Sequence, residues 1–370
     1  MIFFTLPRNR AAAPAARRRH APCRMGGQAA LLGLAFLQAA CAAPDTSRYA
    51  ASPQYEQGRF RNPVPVPDRP LAEQLGIFWR LTFEKPPGTA PEAELPVRSL
   101  ARAEIDAAPD ASLWRLGHAT VLFKLGGRYW LTDPMFSERA SPVSFVGPRR
   151  FHKSPIGIDE LPPLEAVIVS HDHYDHLDRA SVLALAPKTK RFVTPLGVGD
   201  RLVEWGVSAA QVTQLDWWQE TSLADVRLVA VPSQHFSGRT LGDRNRTLWA
   251  SWVLIGGERR VFFSGDTGYH AGFRTIGERY GPFDATLLEC GSYNSLWPLV
   301  HLQREQVIEA HRDLRGRLLV PVHNGTFDMA MHPWREPIER ITTLAKDKGV
   351  PIAVPGFGER IVIERAVTSP

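Results

Sequence analysis

Apolar residues recur along this chain with two different periods. From Leu71 to Phe83 (LAEQLGIFWRLTF) the apolar positions Leu71, Leu75 and Phe78 repeat at helical spacing and predict a short amphipathic helix. From about Ser112 onward the pattern changes to short apolar runs bounded by glycine, proline and polar clusters, which is the signature of strands. Leu113–Leu125, the Gly126-Gly127 turn and Tyr129–Thr132 read as a β-hairpin. Ala166–Val169 (AVIV) is a continuously apolar strand of the kind buried on both faces. Further strands are predicted at Arg191–Thr194, Arg227–Val231, Ala250–Ile255, Val261–Ser264, Ala285–Leu288, Leu318–Val322 and Ile352–Val354, with a second hairpin turn at Gly256-Gly257. Helical stretches lie between them, for example Arg304–Leu314 and Pro337–Lys346. No motif repeats, but two halves of similar strand and helix content favour two packed sheets with helices outside.

Upstream of this body the chain has a different character. Residues 42–100 are rich in proline, centred on Pro63-Val64-Pro65-Val66-Pro67, and read as an extended segment lying along the domain, with the 71–83 helix within it. That helix is expected to pack on the core; the rival reading makes Phe78 and Trp79 part of a lipid-facing entry. Residues 1–41 have the layout of an export signal: an arginine-rich stretch, an apolar run from Ala29 to Ala40, and small residues ending at Ala39-Ala40-Cys41. The run is far shorter than the ~20 residues a membrane-spanning helix needs. It resembles a bacterial lipoprotein signal, which places the mature protein in the periplasm or anchored to the envelope through a lipidated Cys41. Plain cleavage after Ala40 or Ala43 is the alternative.

Charge narrows the partners. The formal net charge is +6, but the first 40 residues carry six arginines and no acids, and the remainder balances at 38 bases and 38 acids. A neutral body argues against nucleic-acid binding. Of three cysteines, Cys23 and Cys41 lie in the leader and Cys290 in an apolar stretch, so no internal disulfide framework is implied.

The chemistry is concentrated in His171-Asp172-His173-Tyr174-Asp175-His176, directly after the buried 166–169 strand. Imidazole nitrogens and a carboxylate at these offsets suit a divalent ion such as zinc, with manganese, iron or nickel admissible. Three more candidates each follow an apolar strand: His235, Asp266 and His323. Singly, each has the bland reading of a hydrogen-bonded loop residue; together they are what convergence on one sheet edge requires.

The order HxHxDH, then His, then Asp in Ser264-Gly265-Asp266-Thr267-Gly268, then His is similar to the metallo-β-lactamase superfamily. The flanking segments Gly58–Pro63, Leu116–Thr120, Leu131–Pro134, Ser170–Asp178, Ser233–Gly238, Ser264–Tyr269 and His323–Phe327 resemble the N-acylphosphatidylethanolamine-hydrolysing phospholipase D family and its bacterial relatives. The resemblance implies an α/β, four-layer αββα sandwich over residues 101–370. It also implies two divalent metal ions, most simply zinc, that activate water toward a phosphodiester. One ion would take His171, His173 and His235 and the other Asp175, His176 and His323, with Asp266 bridging. Asp175, Asp266 and His301 are then the expected catalytic residues, His301 as a non-ligand group for substrate positioning or proton transfer. Its bland rival is a loop histidine ahead of the 304–314 helix.

Asp133, ending the first hairpin, is expected to hydrogen-bond a ligand imidazole, and His118 to be structural. His20, His152, His270, His311 and His332 are unassigned. Asn324 departs from the pattern, since many relatives have Trp after the last ligand His. Trp217-Trp218 and Trp297 are candidates for an acyl groove, with burial in the core as their rival. The expected substrate is a small molecule or a phospholipid. A lactone, another ester or a nucleotide phosphodiester is the rival substrate. A binding protein without turnover is disfavoured because none of the seven ligand positions is missing.

Overall fold

The computed structural model describes residues 49–240 and 242–365. The leader 1–41, Cys41 and the start of the proline-rich segment lie outside the described residues, as do the side chains of Leu71 and Phe78. The first half contains β1 (Tyr55–Glu56), β2 (Arg59–Phe60), α1 (Leu71–Phe83), α2 (Arg102–Ala107), β3 (Ser112–Gly117), β4 (Thr120–Leu125), β5 (Arg128–Thr132), β6 (Leu164–Ile168), α3 (Arg179–Leu185), β7 (Thr189–Pro195), α4 (Val198–Glu204) and β8 (Val212–Leu215). The second half contains β9 (Glu220–Leu223), β10 (Val226–Val231), β11 (Ser251–Gly256), β12 (Arg259–Phe263), α5 (Gly272–Tyr280), β13 (Phe283–Glu289), α6 (Arg304–Asp313), β14 (Gly316–Val322), α7 (Glu336–Asp347) and β15 (Arg360–Val362).

These strands form two main sheets, ordered β15-β3-β4-β5-β6-β7-β8 and β14-β13-β12-β11-β10-β9. Each combines antiparallel hairpins with parallel strands. Three apolar layers account for the sandwich. Trp130, Val193, Trp252, Phe263 and Leu287 pack between the sheets. Ile105, Val182, Leu185 and Leu202 seal α2, α3 and α4 onto the outer face of the first sheet. Phe273, Ile276, Val307, Ile308 and Ile341 seal α5, α6 and α7 onto the outer face of the second. The architecture is the α/β, four-layer αββα sandwich expected from the sequence. β3, β5, β6 and β7 run in one direction within the first sheet, as β10, β12, β13 and β14 do within the second. Each set delivers its C-terminal loops to one edge.

Three expectations change. Leu113–Leu125 is not one arm of a hairpin but two strands, because the chain reverses at Gly117 and His118, whose φ angles are 150° and 48°. The apolar pattern runs through this turn because both arms are buried. Ile352–Val354 makes only a single bridge, Ile352 to Leu319, since the flanking Pro351 and Pro355 have no amide hydrogen to extend a ladder. The proline-rich segment is more than an extended strap: β1 and β2 pair as a small hairpin, and Tyr49 and Phe60 enter the core between the sheets. Trp217 lies in that core too, as the rival reading of its position held, its indole N–H donating to the Trp249 carbonyl at 2.7 Å. No helix among the described residues is long and apolar enough to cross a membrane.

Candidate metal centre

Four loops at the strand ends bring the predicted residues together. The loop after β6 carries His171, His173, Asp175 and His176; His235 follows β10, Asp266 follows β12 and His323 follows β14. Ligand atoms of His171, His173, His235 and Asp266 lie within 4.8 Å of one another, as do those of His118, Asp175, His176 and His323. Asp266 touches both groups. Its Oδ2 is 3.9 Å from His171 Nε2, 3.7 Å from His235 Nε2 and 3.3 Å from His176 Nε2, while its Oδ1 is 3.1 Å from His323 Nε2. All are buried except His173, which is partly open.

The far side of each ring fixes which nitrogen faces inward. Asp133 sits fully buried at the end of β5, as the sequence placed it. Its carboxylate accepts from the Ser170 amide, the Ser170 hydroxyl and His176 Nδ1, each at 2.7 Å. Ser170 Oγ, having given its own hydrogen to Asp133, accepts from His171 Nδ1 at 2.9 Å. His235 Nδ1 donates to the Val300 carbonyl at 2.8 Å. With the Nδ1 protons so committed, Nε2 of His171, His176 and His235 presents a lone pair to the shared space. His171 Nε2 and His235 Nε2 stand 2.8 and 3.2 Å from His173 Nδ1, too many acceptors for the protons available. His176 Nε2, His323 Nε2 and Asp266 Oδ1 are buried with no hydrogen-bond partner. Convergent, unsatisfied nitrogen and oxygen lone pairs are costly unless cations occupy the space between them, so the residues fit a pair of divalent ions.

The electrostatics agree. Burial is the largest single influence on Asp175 and Asp266 and favours their neutral forms, yet the surrounding histidines, His176 foremost, together outweigh it and hold both carboxyls well below the usual range. Burial likewise lowers His323, but the Asp266 and Asp175 carboxylates beside it raise it to about 10, and His176 is raised well above its ordinary value by the same acids, so where no cation stands between them these two rings take up protons instead. His171 and His235 are driven well below theirs, chiefly by burial. The carboxylates stay anionic and the cluster draws positive charge to itself.

Neighbouring residues complete the centre. His118, expected to be structural, places Nε2 2.8 Å from Asp175 Oδ2 and its ring 3.9 Å from that of His323. Burial depresses it to about 3, so it is neutral and donates to Asp175. Asn62 brackets His235, accepting from its amide at 2.9 Å and donating to its carbonyl at 2.6 Å. Asp172, inside the histidine run, points away and ties the loop to Arg201 at 3.0 Å and to the Gly238 amide at 2.8 Å. Asn324 also points away, accepting from the buried Arg115 at 2.7 Å. His301 reaches the rim, its ring 5.1 Å from that of His235, and its Nδ1 lies 3.2 Å from the buried Glu289. Asn62 stands in the Gly58–Pro63 segment already noted; Glu289 was signalled only as an acid closing an apolar strand.

The family whose sequence model matches is described as a beta-lactamase superfamily domain, over residues 128–324. An uncharacterized protein of Mycobacterium tuberculosis is 44% identical over 316 residues, 84% of each chain. N-acyl-phosphatidylethanolamine-hydrolyzing phospholipase D 1 of Caenorhabditis elegans is 36% identical over 251 residues, 64% of this chain and 70% of that one. Among solved structures, an isothiocyanate hydrolase from Delia radicum gut bacteria superposes with a TM-score of 0.55 at 19% identity, covering 68% of this chain and 98% of that one, a likeness of fold.

Proposed function

The chain is a metal-dependent hydrolase of the metallo-β-lactamase superfamily, and we infer that its reaction is cleavage of a phosphodiester in an N-acylated phospholipid. The observation that carries this reading is the sharing of Asp266 between two ligand groups, which supports a paired-cation site of the size a phosphoryl group spans. The 36%-identical relative named for that activity supplies the substrate class. Two divalent cations, most simply zinc for this nitrogen-and-oxygen donor set, would supply Lewis acidity that activates water at neutral pH and offsets phosphate charge.

The residues divide that work. His171, His173 and His235 would hold one cation and Asp175, His176 and His323 the other, with Asp266 between them. Asp133 fixes the tautomer of His176 directly and that of His171 through Ser170, and His118 orients Asp175. His301, partly open at the rim, would meet the substrate there. The exposed apolar stripe Leu75, Trp79 and Phe83 on α1, 57%, 56% and 64% exposed, supports approach from a lipid surface.

The test is hydrolysis of a model phosphodiester and an N-acylated phosphatidylethanolamine by the metal-analysed protein, with a lactone in parallel. The expected result is about two metals per chain and phosphodiester or phospholipid turnover that is lost on chelation. Turnover of the lactone alone would retain the site and overturn the substrate. A folded protein that binds no metal would overturn the reading itself.

A further inference from the structure

Glu289 is the last residue of β13 and is fully buried. A carboxylate there is expensive unless its charge is matched. Its hydrogen-bond partners are few. Oε1 accepts from the Leu302 amide at 2.6 Å and lies 3.2 Å from His301 Nδ1, while Oε2 has no partner. A buried acid tolerated with half its acceptors empty needs a reason beyond capping one amide.

The reason lies in where His301 stands. A nitrogen of His301, a carboxylate oxygen of Asp266 and a nitrogen of His323 fall within 4.8 Å of one another. The ring is edge-on to His235 at 5.1 Å and tilted against His323 at 5.6 Å. The loop from Glu289 to Leu302 therefore closes on itself through this carboxylate, and the residue it closes on is the one at the rim of the centre. The Glu289 amide also donates to Ser264 Oγ at 3.0 Å, two residues before Asp266. One residue thus ties the His301 loop to the loop that carries the shared carboxylate.

We propose that Glu289 is a positioning residue of this site: its buried carboxylate accepts the Nδ1 proton of His301, fixing tautomer and ring plane so that Nε2, lone pair outward, is the nitrogen presented to substrate. The physics is that already used by Asp133 on His176, turned to a histidine outside both ligand groups. His301 works in this arrangement as an acceptor toward a water or hydroxyl group at the rim. Glu289 acts only through it. The proposal rests on the reading that His301 touches substrate.

The experiment uses the metal-loaded full chain and four variants: Glu289→Leu, Glu289→Gln, His301→Gln and the double variant Glu289→Leu/His301→Gln. Removing the acceptor in Glu289→Leu is expected to lower kcat about 10–100-fold with little change in KM or in metal per chain. Glu289→Gln keeps an acceptor oxygen and recovers most of that loss. The double variant is no slower than His301→Gln alone, because the two residues act as one unit. Losses that multiply in the double variant would overturn the proposal, since a purely structural acid would still add its effect. The second readout is the ¹⁵N spectrum of the His301 imidazole, assigned by its disappearance in His301→Gln. A proton on Nδ1 is expected in the wild-type chain; an Nε2-protonated ring overturns the proposal even if Glu289→Leu fails to fold. Both readouts hold on any ester the chain turns over. A lactone-only enzyme with coupled Glu289 and His301 would sink the phosphodiester reading and leave this one standing, and the converse would do the reverse.

Discussion

At the scale of single residues, the centre is organised by which atom holds each proton. Asp133 receives three hydrogen bonds and sits one bond from His176 and, through Ser170, two from His171. Replacing it by Ala leaves those donors unpaired in the core and frees two imidazoles to adopt the other tautomer. Asp133→Ala is expected to weaken metal affinity about 10–100-fold, measured by competition with a chromophoric chelator. Asp266→Asn keeps the shape but removes the charge that both groups share, so kcat should fall at least about 100-fold with metal content dropping from two toward one per chain. Near-normal turnover with two metals retained would refute the bridging role. The histidine run could be read from the sequence because its members are adjacent, and Asp133 because it ends a hairpin. His118 and Glu289 could not, since their partners are met only when the chain folds: Asp175 is 57 positions from His118, and Glu289 gains meaning from a loop that returns to it.

At the scale of elements, strands whose C-termini share one sheet edge do the positioning, and their alternation of apolar runs with breaks was legible along most of the chain. What escaped were segments where two structures share one pattern, such as the β3–β4 turn, and short helices such as α3 and α4, whose few buried positions give little periodicity. The loop after β12 shows how tightly an element end is specified. Gly265 has φ of 54°, and a methyl group on it would overlap the Ser170 side chain that links Asp133 to His171. Gly265→Ala should therefore cost about 1–3 kcal/mol of stability and loosen metal binding together. A denaturation midpoint that falls while metal affinity is untouched would show that the Ser170 relay is not the linked element. On α1 the chemistry is at the surface. Trp79 and Phe83 pack with tilted rings, centroids 4.5 Å apart, and remain exposed, so the double change to Ser should spare folding while lowering binding to phospholipid vesicles at least about tenfold. Equal binding by the variant would remove α1 from any lipid contact.

At the scale of the whole molecule, what matters is how many ionisable groups have been sealed inside neutral. Outside the ligand set, His152 is depressed to about 3, and His270 and His311 to about 4, in each case chiefly by burial. In the unfolded chain each would titrate near 6.5. Their folded values lie below their unfolded ones, so the stability tied to their neutrality is complete above about pH 6.5. It is lost as pH falls from there toward 4, because the unfolded state takes up protons that the folded state refuses. Each contributes a slope of about 1.4 kcal/mol per pH unit across that window, against a total stability of about 5–15 kcal/mol for a folded domain. Acid should therefore destabilise this protein progressively from about pH 6.5 down to about pH 4. His311, whose Nδ1 meets Thr286 Oγ1 at 2.7 Å on the helix side of the second sheet, isolates the effect because it touches none of the metal-binding residues. Urea unfolding at saturating metal, at pH 7, 6 and 5, should show a shallower pH slope for His311→Gln than for the parent, by about one proton's worth. Identical slopes would mean that His311 is protonated in the fold as readily as in the open chain, and that its burial is not what keeps it neutral.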